Sequence, residues 1–160
     1  MKILVVSDSH DNTKMLDKII GSQTKAEVVL FLGDGISDLD YVKLKYPQKM
    51  FISVRGNNDW LCDCPINEVR EIEGKRIFLT HGHRYNVRYG IDTIAQIGNI
   101  NSADIVLYGH THEQKYVFYQ GMHIMCPGAV MNYPGEYGVI DIQNGQVLVN
   151  TAVYKYSGLR

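Results

Sequence analysis

The sequence Val5-Val6-Ser7-Asp8-Ser9-His10 places a carboxylate and an imidazole directly after a short apolar run. The run begins at Ile3 and predicts a buried β-strand, and the two polar side chains are of types that bind hard or borderline metal ions. A single Asp or His at a strand end is most often a cap, a turn former or a solvated side chain. This stretch therefore indicates a site only if other strands end in the same way.

The same construction recurs four more times along the chain. Apolar runs end at Gly33-Asp34, at Gly56-Asn57-Asn58-Asp59, at His81-Gly82-His83 and at Gly109-His110-Thr111-His112. All five runs read as buried strands, and glycine lets the backbone turn tightly where they end. Ligands of α/β proteins gather outside the carboxyl ends of strands, so the five ends can meet at one place. We predict a site for two metal ions there.

The first half of the chain has the spacing of alternating strands and helices. Helices are predicted over 12–21 and 38–46, and strands over 28–32 and 49–54. A strand-helix-strand unit implies parallel strands joined by a right-handed crossover. We therefore expect parallel strand pairing in this half.

The second half begins with a hairpin and ends with a series of strands whose spacing predicts antiparallel pairing. The hairpin joins 68–72 to 76–80, and a helix over 89–100 and a strand over 104–108 follow. From Lys115 onward the predicted strands are 116–119, 122–126, 137–142 and 146–154. One mixed sheet and two stacked sheets both fit this pattern.

The composition is that of an ordinary soluble domain. With 160 residues, of which 45% are hydrophobic and 21% charged, the chain can bury one core, and we predict a single domain over residues 1–160. Lysine and arginine number 16 against 17 acidic residues, and no basic run is long enough to follow a nucleic-acid backbone. Stable nucleic-acid binding is therefore not expected, which disfavours a nuclease.

The cysteines and the apolar runs bear on location. The chain has three cysteines, Cys62, Cys64 and Cys126. Because the number is odd and no two of them form a C-x-x-C pair, we predict free thiols in a reducing compartment. A metal clip at Cys62 and Cys64 is the less favoured alternative. The N-terminal run is too short for a signal peptide, and no run approaches the ~20 residues of a membrane span. We expect a cytoplasmic protein without membrane attachment.

Taken in order, the five strand ends resemble the motifs of the calcineurin-like metallophosphoesterase superfamily, and most closely its small bacterial and archaeal phosphodiesterase branch. The resemblance covers residues 1 to about 128, and the ordered set is specific although each motif alone is common. It implies an α/β fold in which two facing mixed β-sheets are flanked by helices, an α/β/β/α sandwich with metals at one edge.

The resemblance also implies a role for each of seven residues. Asp8, His10 and His112 look like ligands of one metal ion. Asn57, His81 and His110 look like ligands of the other, and Asp34 would bridge the two. Mixed imidazole, carboxylate and amide ligands suit Mn²⁺, our first expectation, or Ni²⁺, Fe²⁺ or Zn²⁺ better than calcium.

Two departures from the superfamily pattern affect the chemistry. Many members have a proton-donating histidine after the ligating asparagine, whereas this chain has Asn58, which cannot act as an acid. His83 or a coordinated water is then the candidate donor, and Asn58 and Asp59 are expected to support the metal ligands or the strand end. The second departure is Cys126-Pro127-Gly128-Ala129 in place of Asn-Pro-Gly-Ser, which keeps the turn but loses two polar side chains.

We predict a phosphodiesterase in which a hydroxide bridged by two metal ions attacks phosphorus in line. Arg55 is a candidate for binding the substrate phosphate, although an arginine leaving a strand is more often paired at the surface. A phosphomonoesterase is a variant of this hypothesis. A protein-binding scaffold is the rival, since the same fold serves as one in a eukaryotic membrane-trafficking coat.

The expected partner is a small-molecule phosphodiester bound in an open cleft. Several of the 11 tyrosines cluster between Tyr116 and Tyr137, where they indicate either a contact between copies in a homo-oligomer or amphipathic strand residues.

Overall fold

Two five-stranded β-sheets and three α-helices make up the computed structural model, which describes residues 1–155. In chain order the elements are β1 (Lys2–Val6), α1 (Thr13–Ser22), β2 (Val28–Phe31), α2 (Ile36–Lys43), β3 (Met50–Ser53), β4 (Asn67–Ile72), β5 (Lys75–Thr80), α3 (Asp92–Ile100), β6 (Ile105–Leu107), β7 (Gln114–Tyr119), β8 (Met122–Pro127), β9 (Gly135–Gln143) and β10 (Gln146–Tyr154). The strand order is β10-β9-β1-β2-β3 in the first sheet and β4-β5-β6-β8-β7 in the second.

The core lies in three layers, which confirms the predicted two facing mixed sheets flanked by helices. Side chains such as Ile3, Leu30 and Leu107 fill the space between the two sheets. Helices α1 and α2 cover the outer face of the first sheet, and α3 covers the outer face of the second. Each layer removes apolar surface from water, which is the main force that holds the sandwich together.

Parallel strands occupy the middle of both sheets. In the first sheet β1 pairs in parallel with β2 and β2 with β3, as the strand-helix-strand pattern predicted. In the second sheet β5, β6 and β8 are parallel, although an antiparallel pattern was expected from Lys115 onward. That expectation holds for the β7–β8 hairpin and fails for β8 against β6, because a hairpin pattern does not reveal a strand's second neighbour.

Two further expectations need correction. Strand β3 was expected to be buried, yet it lies at the edge of its sheet and Met50 is 60% exposed. Helix α2 begins at Ile36 rather than at Asp38, because the Asp59 carboxylate accepts the backbone N–H groups of Gly35 and Ile36 at 2.9 and 3.0 Å. A cap that comes from more than 20 residues away leaves no local signal.

Cys62 and Cys64 form a disulfide, so the prediction of free thiols is wrong at these two positions. The two Cα atoms are 5.3 Å apart, within the range that a disulfide spans. The paired sulfurs exclude the metal clip, and one argument for a reducing compartment is lost. Cys126 is free and buried.

No helix within residues 1–155 combines the length and the hydropathy that crossing a bilayer requires.

Candidate metal centre

The seven predicted metal ligands follow the carboxyl ends of parallel strands in both sheets. Asp8 and His10 come after β1, Asp34 after β2 and Asn57 after β3. His81 follows β5, and His110 and His112 follow β6. The two sheets present these ends at one edge of the sandwich, so residues more than 100 positions apart meet there.

Three of these side chains form one compact group of donors. His112 Nε2 lies 3.0 Å from Asp8 Oδ1, and His10 Nε2 lies 3.5 Å from the same oxygen. The Nε2 atoms of His10 and His112 are 3.3 Å apart. All three ligand atoms are therefore close enough to share one cation.

A second group comprises Asp8, Asp34 and His81. His81 Nε2 lies 3.3 Å from Asp34 Oδ2 and 3.9 Å from Asp8 Oδ1. His81 Nδ1 donates to the carbonyl oxygen of Leu32 at 2.7 Å, so in the neutral imidazole the lone pair is on Nε2. That Nε2 atom is buried and has no hydrogen-bond partner among the described residues, as a ligand awaiting a metal would be.

His110 lies beside the second group rather than within it. The imidazoles of His110 and His81 have centroids 5.1 Å apart, and the backbone N–H of His110 donates to Asp8 Oδ2 at 3.1 Å. Arg88 Nε donates to His110 Nε2 at 3.1 Å, so His110 can ligate a metal only through Nδ1 or after Arg88 moves. Asn57 is exposed and sits between Gly56 and Asn58, both of which contact Asp34.

The backbone conformation at the proposed ligands sets the direction in which their side chains point. Five of the seven have positive φ angles: Asp8, His10, Asp34, His110 and His112. Asp and His adopt this left-handed region more readily than most residues, but each such position still costs roughly 1 to 3 kcal/mol. The strand ends hold this strain because the surrounding loops hydrogen-bond to one another.

Asp59 and Asn58 hydrogen-bond to those loops. The Asp59 carboxylate accepts four backbone N–H groups, from Asp34 and Gly56 at 2.7 Å, Gly35 at 2.9 Å and Ile36 at 3.0 Å. Asn58 donates to both oxygens of Asp34, from its backbone at 2.8 Å and from Nδ2 at 2.7 Å.

The two carboxylates of the centre are held ionised. Burial opposes ionisation of Asp8, but hydrogen bonds from His10, His112 and Ser7 outweigh it and hold the pKa of Asp8 well below its usual value. Burial likewise opposes ionisation of Asp34, and His81 and Asn58 hold the pKa of Asp34 below its usual value. Both side chains are therefore ready to bind cations at neutral pH.

The histidines divide into those with a raised pKa and those with a lowered pKa. The hydrogen bond to Asp8 raises the pKa of His10, and the carboxylates of Asp34 and Asp8 outweigh burial and raise the pKa of His81. Burial and the charges of His81 and Arg88 lower the pKa of His110 to about 4. Burial, His81, Arg84 and Arg55 lower the pKa of His83.

Three cavities adjoin this centre. Two have volumes of about 620 Å³: one is lined by His110 and His112 among others, and the other by Asn58, the exposed side chains of Trp60 and Leu61, and the start of α2. The smaller cavity, of about 260 Å³, is lined by Arg55, Asn57, His83 and Arg84 among others. His83 therefore lies next to the centre, with its ring centroid 5.5 Å from that of His81.

Sequence reasoning missed several supporting residues. The buried Asp38 carboxylate accepts from the Ser9 hydroxyl at 2.5 Å, the Asp11 backbone N–H at 3.1 Å and the Thr13 hydroxyl, and so fixes the loop that carries His10. An Asp on a helix gives no signal of such a role. Arg88 was missed because nothing in its local sequence indicates a contact with His110.

The family model described as the calcineurin-like phosphoesterase superfamily domain matches residues 1–145. The chain belongs to this superfamily. A phosphodiesterase of Methanocaldococcus jannaschii is 30% identical over 151 residues, which cover 83% of this chain and 86% of the relative. The family membership predicted from the five strand ends is therefore confirmed.

Solved structures of other proteins share the fold of this chain. A predicted phosphoesterase from Streptococcus pneumoniae is 23% identical and superposes with a TM-score of 0.78, over 99% of this chain and 94% of the other. The Vps29 protein of Entamoeba histolytica, solved in complex with zinc, is 20% identical with a TM-score of 0.73, over 96% and 99% of the two chains. At these identities the likeness concerns the fold alone.

Proposed function

We propose that this calcineurin-like protein is a metal-dependent phosphodiesterase acting on small phosphodiesters. The observation that carries the proposal is the position of Asp34, whose Oδ2 atom lies 3.7 Å from His10 Nε2 and 3.3 Å from His81 Nε2. A carboxylate between two imidazoles is placed to bridge two cations. The Methanocaldococcus relative is named a phosphodiesterase, which supports the same reaction here.

Seven residues would hold the metals. Asp8, His10 and His112 are assigned to one ion, and Asn57, His81 and His110 to the other, with Asp34 shared. The donor set of imidazole, carboxylate and amide favours Mn²⁺, with Ni²⁺, Fe²⁺ and Zn²⁺ as alternatives. When bound, two such ions supply an activated water as nucleophile and stabilise the negative charge that develops on the phosphoryl oxygens.

The protein's own residues then orient the reactants and move one proton. Asn58 keeps the Asp34 carboxylate in its bridging orientation through two hydrogen bonds. His83, beside His81 and His110 at the edge of the smaller cavity, is the proposed donor of a proton to the leaving oxygen as the bond to phosphorus breaks. Its lowered pKa makes the imidazolium a stronger acid and also reduces the fraction of His83 that carries the proton at neutral pH, so donation by His83 would be favoured at lower pH.

The proposed substrate is a small diester whose organic groups lie in the open cavities. The exposed Trp60 and Leu61 side chains offer an apolar surface for one ester group beside Asn58. A preference for diesters over monoesters is part of the proposal. Three statements stay predictions: that residues 1–160 form a single domain, that the protein is cytoplasmic, and that it forms a homo-oligomer through the tyrosine-rich strands.

The scaffold alternative has a specific observation in its favour, because the Vps29 structure with zinc shares this fold. Metal binding by itself does not separate an enzyme from a scaffold of this fold. Turnover does separate them.

The test is hydrolysis by metal-depleted protein after readdition of manganese, nickel, zinc or magnesium. Substrates are bis-p-nitrophenyl phosphate, p-nitrophenyl phosphate and cyclic nucleotides, and elemental analysis identifies the metal that copurifies. We expect turnover restored by manganese, higher with the diester, and absent in Asp34→Asn but retained in Glu71→Gln, an exposed position on β4. Failure of every metal to restore turnover with any ester would refute the enzyme and favour the scaffold.

A further inference from the structure

The smaller cavity beside the metal centre is lined by two positively charged side chains. Its lining includes two arginines, Arg55 from the loop after β3 and Arg84 from the loop after β5, so the two guanidinium groups come from different sheets. The cavity also includes Asn57, the proposed ligand of the second metal, and His83. It is therefore continuous with the place where the diester would react.

Neither guanidinium is neutralised by the protein. Within residues 1–155, neither Arg55 nor Arg84 forms an ion pair or a side-chain hydrogen bond with a carboxylate. Asp59 also lines the cavity, but its two oxygens already accept four backbone N–H groups. Arg84 is exposed and Arg55 is half-buried, so water solvates both, and the two unpaired positive charges give the cavity a positive potential that attracts anions.

The other arginines within residues 1–155 each have a side-chain hydrogen-bond or ion-pair partner. Arg70 lies 3.3 Å from the carboxylate of Glu68, Arg76 donates to the carbonyl oxygen of Asn101, and Arg88 donates to His110. Arg55 is half-buried, and its backbone N–H donates to the carbonyl oxygen of Pro65 at 2.9 Å, which fixes where its side chain starts. Its charge is thus held at the cavity without a partner.

The scissile phosphate does not account for these charges. A phosphodiester carries a single negative charge. Two divalent cations held by the ionised carboxylates of Asp8 and Asp34 would, with a bound hydroxide, carry a net charge of about +1, which already balances it. A phosphate monoester group, in contrast, carries nearly two charges and three acceptor oxygens at neutral pH, and guanidinium forks bind it in a bidentate manner.

We propose that Arg55 and Arg84 form a subsite for a terminal phosphate of the substrate, next to the diester that is cleaved. The preferred substrate class is then a phosphodiester that also carries a phosphate monoester. This inference rests on the proposed function for the reaction itself, and it adds which diesters are preferred.

Two synthetic esters test the subsite in the manganese-loaded protein. One is the p-nitrophenyl ester of thymidine 5′-monophosphate, and the other is the same ester with an added 3′-phosphate. We expect kcat/KM about tenfold or more higher for the second ester, mainly through a lower KM, because charge-assisted hydrogen bonds to phosphate are strong. Arg55→Gln and Arg84→Gln should each reduce this preference severalfold.

Arg70→Gln is the matched control, because it removes the same charge from an exposed strand position outside these cavities. It should keep the full preference for the 3′-phosphorylated ester. Equal kcat/KM for the two esters in the unaltered protein, or an equal loss in Arg70→Gln and Arg84→Gln, overturns the subsite while leaving the phosphodiesterase intact.

Calorimetry keeps the two proposals separable if turnover is absent. The probes are thymidine 3′,5′-bisphosphate and thymidine 5′-monophosphate, titrated into the manganese-loaded protein. We expect about tenfold tighter binding of the bisphosphate, and we expect Arg84→Gln to lose this difference. Equal affinity for the two probes, or no measurable binding of either, overturns the subsite whatever the activity.

Discussion

The Asp59 carboxylate accepts the backbone N–H of Asp34 at 2.7 Å, and this hydrogen bond joins the loop after β3 to the loop after β2. The same carboxylate accepts the N–H groups of Gly35, Ile36 and Gly56, so it fixes the start of α2 as well. The proposed bridging ligand therefore owes its position to a residue that does not itself belong to the ligand set.

Asp59→Asn should lower the free energy of unfolding by about 2 to 4 kcal/mol, because hydrogen bonds to a charged acceptor are strong and an amide replaces one oxygen by a donor. Denaturant unfolding measures the effect. Asp63→Asn, exposed on the same segment, should change stability by less than about 0.5 kcal/mol. Equal stability of the two variants would contradict the role assigned to Asp59.

Gly56→Ala should weaken metal binding by about tenfold or more, as losses of residues that orient metal ligands do. A Cβ at this position would lie 2.0 Å from Asp34 Oδ1 and 2.7 Å from the Asp34 backbone nitrogen, so the carboxylate must move. Metal titration of the depleted protein measures the change. Gly121→Asn, in the open β7–β8 turn, is the control. Unaltered affinity in Gly56→Ala would show that Asp34 tolerates displacement.

Metal affinity should rise with pH. The pKa values of His10 and His81 are raised above their usual 6.5, so both imidazoles hold protons around that pH, and a metal ion must displace them. Each displaced proton changes the affinity about tenfold per pH unit until the pH exceeds the raised pKa. The carboxylates of Asp8 and Asp34 are ionised and His110 is neutral over this range, so they release none.

Calorimetry of manganese binding at pH 6.5, in buffers with different ionisation enthalpies, counts the released protons. Binding without proton release there would mean that these two imidazoles are already neutral in the metal-free protein.

His83→Gln should slow hydrolysis according to the leaving group. A proton donor contributes on the order of 10² to 10⁴ in rate when the leaving oxygen is basic, and little when it departs as a stable anion. We expect kcat to fall by about 10² or more with an alkyl ester, and by less than about tenfold with a p-nitrophenyl ester. The pH profile of kcat should also lose its high-pH limb for the alkyl ester. An equal fall for both esters would assign His83 to structure rather than to proton transfer.

The strands and helices with regular apolar spacing were predictable from the sequence. Helix α1, capped by Asn12 on the Met15 backbone N–H, and the strands β1 and β2 lie close to their predicted positions. The five strand ends were predictable as a group because parallel strands present their carboxyl ends together. The residue types at these ends were distinctive enough to indicate metals.

The rest depended on contacts between distant segments. Neither the parallel pairing of β8 with β6 nor the start of α2 is encoded in neighbouring residues, since the first depends on sheet order and the second on Asp59. The same holds for Arg84, whose proximity to Arg55 arises only when the two sheets face each other. The prediction of free thiols at Cys62 and Cys64 was wrong for another reason, because sequence spacing alone does not decide whether two thiols form a disulfide.

The positive φ angles at five of the seven proposed ligands bear on attempts to engineer this centre. Side chains grafted onto the regular strands of another scaffold would point along different directions, because ordinary β geometry does not reproduce the left-handed backbone at these positions. A transplanted centre would therefore need the complete loops, together with the aspartate that clamps them.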